Sequence, residues 1–272
     1  FRRVLFRSDV SASQWRVLPQ ESRASHAFLN QMLREGKDSA FLIRFDREVE
    51  LIKDLTSSRK ELETALDSLG TLDFRRPRFG PPRTSSGGPG GPVPGAQPRR
   101  RFGGTALHDA VFLAADEILK KQSGRKAVIV LSDGVDNASK IGLAEAIETA
   151  QRADTVVYSI LFADRTGPGF SRGPGYGRRV RVGRRRTPTL SRLDGKGVLE
   201  RISRETGGSF FEVSGKRTLE EIYRLINEEL RHQYSLGYTS DRNGDGGYRK
   251  IRVATRQKGF AVQARDGYYA GS

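Results

Sequence analysis

Apolar residues change their period several times along the chain. From Gln20 to Arg34, Ala24, Ala27, Phe28 and Met32, with Leu29 and Leu33 beside them, recur at helical spacing until Gly36 stops the run. "SAFLIRF" and "VELIKDL" read as two strands around the turn "DRE", and Ser58 to Leu69 as an amphipathic helix. Ala106 to Lys121 is a further helix, with Val111, Ala115, Ile118 and Leu119 on one side. "KAVIVLS" is a short, almost wholly apolar run of the kind that suits a strand covered on both faces. A helix over Ile141–Arg152, the strand "TVVYSILF", a helix over Lys196–Thr206, the strand "SFFEV" and a helix over Thr218–His232 follow. Strands alternating with helices predict an α/β fold, Rossmann-like, with a mostly parallel central sheet flanked by helices.

The last forty or so residues change character. "YSLGYTS", "YRKIRVATR" and "FAVQARDGYY" alternate at period two and are separated by "DRNGDGG" and "QKG", which predicts a small C-terminal antiparallel β appendage. The expected division is therefore 1–232 for the α/β domain and 233–272 for an appendage packed on it. Two stretches, 74–102 and 165–192, are rich in Arg, Gly and Pro without apolar periodicity. They read as flexible insertions, because they cannot bury enough surface to offset the entropy of ordering.

Charge follows the same division. The net charge is +16; residues 74–102 hold seven arginines and 165–192 hold nine, with no acid in either, so these two segments equal the whole excess. Basicity belongs to the insertions rather than to the fold. The chain has no cysteine, which excludes disulfides and thiolate metal sites. No apolar stretch reaches transmembrane length, and no export signal is visible.

In an open parallel sheet, ligands bind where loops leave the carboxyl ends of the strands. Three such loops carry oxygen donors: Asp9, Ser11 and Ser13 after the first strand; Thr105 after two glycines; and Asp133 after "KAVIVLS". Carboxylates and hydroxyls, without imidazole or thiolate, suit a hard cation, Mg²⁺ before Zn²⁺, with Mn²⁺ and Ca²⁺ as alternatives. The competing reading takes Ser11 and Ser13 as turn or capping residues and Asp133-Gly134 as an ordinary turn.

The D-x-S-x-S stretch, the Gly-Gly-Thr loop and the Asp-Gly after a buried strand, in this order, resemble the metal-ion-dependent adhesion site of von Willebrand factor type A domains. The resemblance spans about Val4 to Val213 apart from the insertions. The C-terminal part resembles the bacterial von Willebrand A-related family described mostly from Acidobacteria. This likeness implies that Asp9, Ser11, Ser13, Thr105 and Asp133 hold the metal, Thr105 and Asp133 directly or through water, and that a Glu or Asp of a protein partner fills the open position. It also implies non-catalytic adhesion and an extracytoplasmic or cell-surface location. Ala12 and Gln14 depart from the residues usual at their positions, but neither is a ligand.

The strand before Asp9 is unusual. "FRRVLFRS" carries Arg2, Arg3 and Arg7, a poor fit to a strand buried on both faces. It is also the translation of TTC AGA CGT GTG CTC TTC CGA TCT, which resembles a common sequencing-library adapter. The expectation is that residues 1–8 are an assembly artefact and that the native octapeptide is more apolar. His26, His108 and His232 are isolated on helices, and no pair has zinc spacing, so a surface or interface role is expected for each. Asp109 and Asp116 read as solvent-facing or capping charges, and Asp136 as either a support for Asp133 or an exposed loop charge. Trp15, next to the metal loop, could cover the site, touch a partner or pack in the core. No general base stands in the three site loops, which argues against a hydrolase. The alternative function is polyanion binding through the arginine-rich insertions, to nucleic acid or an acidic cell-surface polymer, with a structural metal site.

Overall fold

The computed structural model describes residues 2–9, 18–72, 105–162, 190–214, 217–234, 236–237 and 247–270, without the side chains of 2–9, 18–22, 70–72 and 190–194. Its strands are β1 (Arg2–Asp9), β2 (Asp38–Phe45), β3 (Val49–Thr56), β4 (Arg125–Ser132), β5 (Thr155–Leu161), β6 (Phe210–Glu212), β7 (Tyr248–Lys250) and β8 (Gly267–Tyr269). Its α-helices are α1 (Leu18–Met32), α2 (Arg59–Leu72), α3 (Leu107–Leu113), α4 (Leu143–Arg152), α5 (Leu190–Thr206) and α6 (Leu219–Arg231). The first six strands form one sheet in the order β3-β2-β1-β4-β5-β6. Every neighbouring pair in it is parallel except β2–β3, the hairpin around "DRE".

Alternation along the strands builds two cores, one on each face. Leu42, Ile129, Leu131, Tyr158 and Ile160 pack with residues of α1, α2 and α6. Phe41, Ile43, Phe45, Val128, Val130 and Val157 pack with residues of α3, α4 and α5. Ala127 to Leu131 of β4 are all buried because both faces are covered, which is why this strand reads as a continuous apolar run. Thr218 opens α6 with a capping box: its hydroxyl accepts from the Glu221 N–H, and the Glu221 carboxylate accepts from the Thr218 N–H.

Three expectations shift. The helix after Thr105 continues from α3 into a π-helical turn, Ala114–Leu119, with the Lys120 N–H reaching back to the Ala115 carbonyl. Helix α5 starts at Leu190, inside the stretch expected to be an insertion. Gly195 and Gly197 lower helix propensity there and drew the predicted start to Lys196. The remaining residues of both insertions, with Ser11, Ser13 and Trp15, lie outside the described residues.

The C-terminal antiparallel appendage is present: among the described residues β7 and β8 pair, antiparallel, while residues 254–264 between them are exposed, so their period-two alternation does not correspond to a buried face. The pair is anchored where β5 and β6 begin. Arg265 pairs with Asp154 at 2.7 Å, and the Gln263 amide donates to the Gly207 carbonyl at 3.3 Å. The Arg152 guanidinium lies 4.4 Å from the centre of the Tyr269 ring. The chain stays close to this junction because a Cβ on Gly207 (φ +88°) would crowd the Arg265 backbone.

Candidate metal site

The crossover direction reverses between β1 and β4, and the crevice of an open α/β sheet forms at such a point. The register runs Arg2↔Arg125 to Ser8↔Leu131. One step further, Asp9 and Ser132 are the last residues of the two strands, and Asp133 leaves β4 immediately after. Asp9 and Asp133 therefore sit on adjacent strands at the carboxyl end of the sheet. Their separation along the sequence is removed by strand pairing alone.

Thr105 reaches the same end by hydrogen bonding. Its N–H donates to Asn137 Oδ1 at 2.8 Å, and its carbonyl accepts from the N–H groups of Asn137 and Ala138, each at 3.2 Å. The next residue, Ala106, donates its N–H to the Asp46 carbonyl in the β2–β3 turn at 2.7 Å. Thr105 is buried, at 6% exposure. Asp133 folds back on its own loop, with Oδ1 accepting from the Val135 N–H at 3.0 Å. The preceding Ser132 hydroxyl accepts from the Gly134 N–H at 3.1 Å.

Gly134 and Gly195 meet backbone to backbone. A Cβ on either would fall within the other's stretch of main chain, and Gly134 also has φ +78°. This contact seats the Asp133 loop against α5 and explains why a helix carries glycine at 195.

Asp136 holds the loop to α3. Its Oδ2 accepts from the His108 N–H at 2.9 Å and from the Ser139 hydroxyl at 2.6 Å, while Oδ1 accepts from the Ser139 N–H at 3.2 Å. Ser139 Oγ in turn accepts from the Asp109 N–H at 3.1 Å. The Asp109 carboxylate accepts from the Lys140 N–H at 2.9 Å and the Ile141 N–H at 3.0 Å. Asp136 thus ties the loop to the start of α3, and Asp109 holds Lys140 and Ile141 ahead of α4 rather than capping a helix. Asp116 pairs with Lys120 along its helix at 2.7 Å. The run Asp136-Asn137-Ala138-Ser139 was the available signal for this network, but in sequence it is indistinguishable from an ordinary polar turn.

His108 departs from expectation. It is not a surface residue, since its side chain is only 14% exposed. Nδ1 lies 3.6 Å from Asp136 Oδ2, and Nε2 is buried without a hydrogen-bond partner among the described residues. His26 pairs with Asp67 at 2.9 Å, and His232 Nδ1 lies 2.8 Å from the Glu228 carbonyl at the end of α6. Among the described residues no three His, Cys, Asp or Glu side chains gather in one place.

Sequence comparison matches the chain to no protein-family model and to no curated protein. Comparison of structures does find relatives. An aerotolerance-related membrane protein of Bacteroides fragilis superposes with a TM-score of 0.55 at 18% identity, covering 86% of this chain and 100% of that one. BatB of Bacteroides thetaiotaomicron gives 0.54 at 17% identity, over 85% and 98%. A von Willebrand factor type A protein of Catenulispora acidiphila gives 0.51 at 15% identity, over 84% of this chain and 42% of that one. This is a von Willebrand factor type A fold. In this von Willebrand A fold, the last residue of β1, Asp9, and the loop that leaves β4 at Asp133 share one end of the sheet, and the segment ahead of α3 is bonded to that loop through Thr105.

Proposed function

We propose that the chain is a non-catalytic, divalent-cation-dependent protein-binding domain. Asp9, Ser11, Ser13, Thr105 and Asp133 hold Mg²⁺, or Mn²⁺ or Ca²⁺ in its place, and a Glu or Asp of a partner protein completes the coordination. The observation that supports this best is the placement of Asp9 and Asp133 at the ends of adjacent strands, with Thr105 hydrogen-bonded into the Asp133 loop. When bound, the cation would supply an electrophilic centre, and the five donors named would leave one position of an octahedral shell open to a carboxylate from outside. The residues of this chain orient the donors. Asn137 and Ala138 hold Thr105 against the β4 loop, Asp136 ties that loop to His108 of α3, and the Gly134–Gly195 contact sets the height of Asp133.

Binding rather than hydrolysis is favoured by the surroundings of His108. The imidazole nearest to Thr105 is turned toward Asp136 and its other nitrogen is buried, so it is poorly presented to activate water. An extracytoplasmic or surface location belongs to the same reading. No described helix is long and apolar enough to cross a membrane.

A glutamate-containing peptide array probed in Mg²⁺ and in EDTA tests the proposal. Capture should need the cation, vanish in Asp133→Ala and change little with salt. Capture that ignores EDTA and falls steeply with salt would instead support polyanion binding through the arginine-rich segments.

A further inference from the structure

The appendage concentrates positive charge that the whole-chain sum conceals. From Tyr248 to Arg265 there are six Arg and Lys and no Asp or Glu. Arg265 is committed to Asp154, and Arg249 is half-buried. Lys250, Arg252, Arg256 and Lys258 are exposed and form no ion pair among the described residues.

The same stretch exposes Phe260 by 66% and Val262 by 44%, and Leu236 just before it by 74%. Among the described residues, the only comparably exposed large apolar side chain outside residues 234–262 is Leu51. Exposed cations and apolar groups alternate along this stretch, which is held at the starts of β5 and β6, the end of the sheet opposite Asp9 and Asp133.

We propose that the stretch from Tyr248 to Val262 docks on an anionic lipid bilayer. Lys250, Arg252, Arg256 and Lys258 meet the head groups, while Phe260 and Val262 sink toward the acyl boundary. Charge complementarity selects an anionic surface, and the aliphatic character of Val262 and Leu236 selects lipid over nucleic acid. Single-stranded nucleic acid is gripped by aromatic platforms. Here the Tyr248 ring already packs against Tyr269, with centroids 5.1 Å apart, and among the described residues Phe260 stacks on no other ring. Docking at this end leaves the opposite crevice facing away from the bilayer.

The test is sedimentation of the full chain with phosphatidylglycerol–phosphatidylcholine vesicles and with phosphatidylcholine vesicles. It is run in EDTA, so that its outcome is independent of the proposed metal site. Pelleting is expected with the anionic vesicles only. K250Q/R252Q/R256Q/K258Q should lower the partition coefficient at least about 100-fold, at roughly fivefold per charge removed. Replacing Arg178, Arg179, Arg181, Arg184, Arg185 and Arg186 with Gln separates the contribution of the arginine-rich segment and should have the smaller effect. Phe260→Trp in a Trp15→Phe background should shift its emission to the blue on anionic vesicles and be quenched by brominated lipid. Unchanged pelleting of the quadruple variant, loss only in the six-arginine variant, or Trp emission indifferent to vesicles would overturn the proposal. So would tighter binding to an oligothymidylate that displaces the vesicles.

Discussion

Asp136 accepts three hydrogen bonds, one from the His108 N–H that joins α3 to the β4 loop and two from Ser139 within that loop. Asp136→Ala should therefore destabilise the domain by about 3 kcal/mol, since bonds to a carboxylate contribute roughly 1.5–3 kcal/mol each and water recovers part of the loss. Chemical denaturation measures that effect. The same variant should weaken Mg²⁺ binding while still folded, because the loop that carries Asp133 and holds Thr105 through Asn137 loses a tie to α3. A variant that loses stability but keeps full cation affinity would show that Asp136 has no part in arranging the donors. At this scale the sequence was partly legible. Donor types and their order could be read from Asp9, Thr105 and Asp133. Asp136 looked equally like a support or a solvent-exposed charge, because nothing in a linear run says which backbone N–H groups will arrive from another element.

At the scale of elements, α5 and β1 carry the argument. Gly195 and Gly197 stand two residues apart in one helix, and they differ in their surroundings. A Cβ at 195 would collide with the Asp133 carbonyl, whereas a Cβ at 197 meets nothing within 4 Å. Gly197→Ala should stabilise the protein by about 0.5–1 kcal/mol through helix propensity. Gly195→Ala should cost about 1–3 kcal/mol through overpacking and should displace Asp133. Thermal melts of the two variants are expected to move in opposite directions, and a stabilised Gly195→Ala would refute the backbone contact. Strand β4 was legible because five consecutive buried residues leave no other reading, while the start of α5 was hidden by a glycine whose reason lies in another loop. The π-helical turn had no sequence signature, since Ala114 and Ala115 suit an ordinary α-helix equally well. Strand β1 raises a different matter. Its register sets position 7 beside Ile43 and Val130, both fully buried on the face shared with α3, α4 and α5. An arginine does not belong in that row, because a buried cation needs a partner and a polar path. An independently amplified copy of the gene should encode an apolar residue at position 7 within a different octapeptide; recovery of "FRRVLFRS" would remove the adapter explanation.

The molecule as a whole separates two chemistries along the strand direction. Asp9 and Asp133 stand at the carboxyl ends of β1 and β4, and the basic, partly apolar appendage is tied to the starts of β5 and β6. Net charge alone could not reveal the second feature. The acids of α2 and α6, among them Glu61, Glu63, Glu220 and Glu221, balance the appendage in the total while lying on other surfaces. Helix–strand alternation predicted the layers correctly because burial on two faces leaves a periodic record, whereas a binding surface needs no such record. The central claim concerns the opposite end of the sheet, and isothermal titration with MgCl₂ or MnCl₂ addresses it most directly. The folded chain should take up one cation, and Asp9→Ala and Asp133→Ala should each abolish the heat without unfolding the domain. Absence of saturable uptake by folded protein, or full uptake by both variants, would contradict the account.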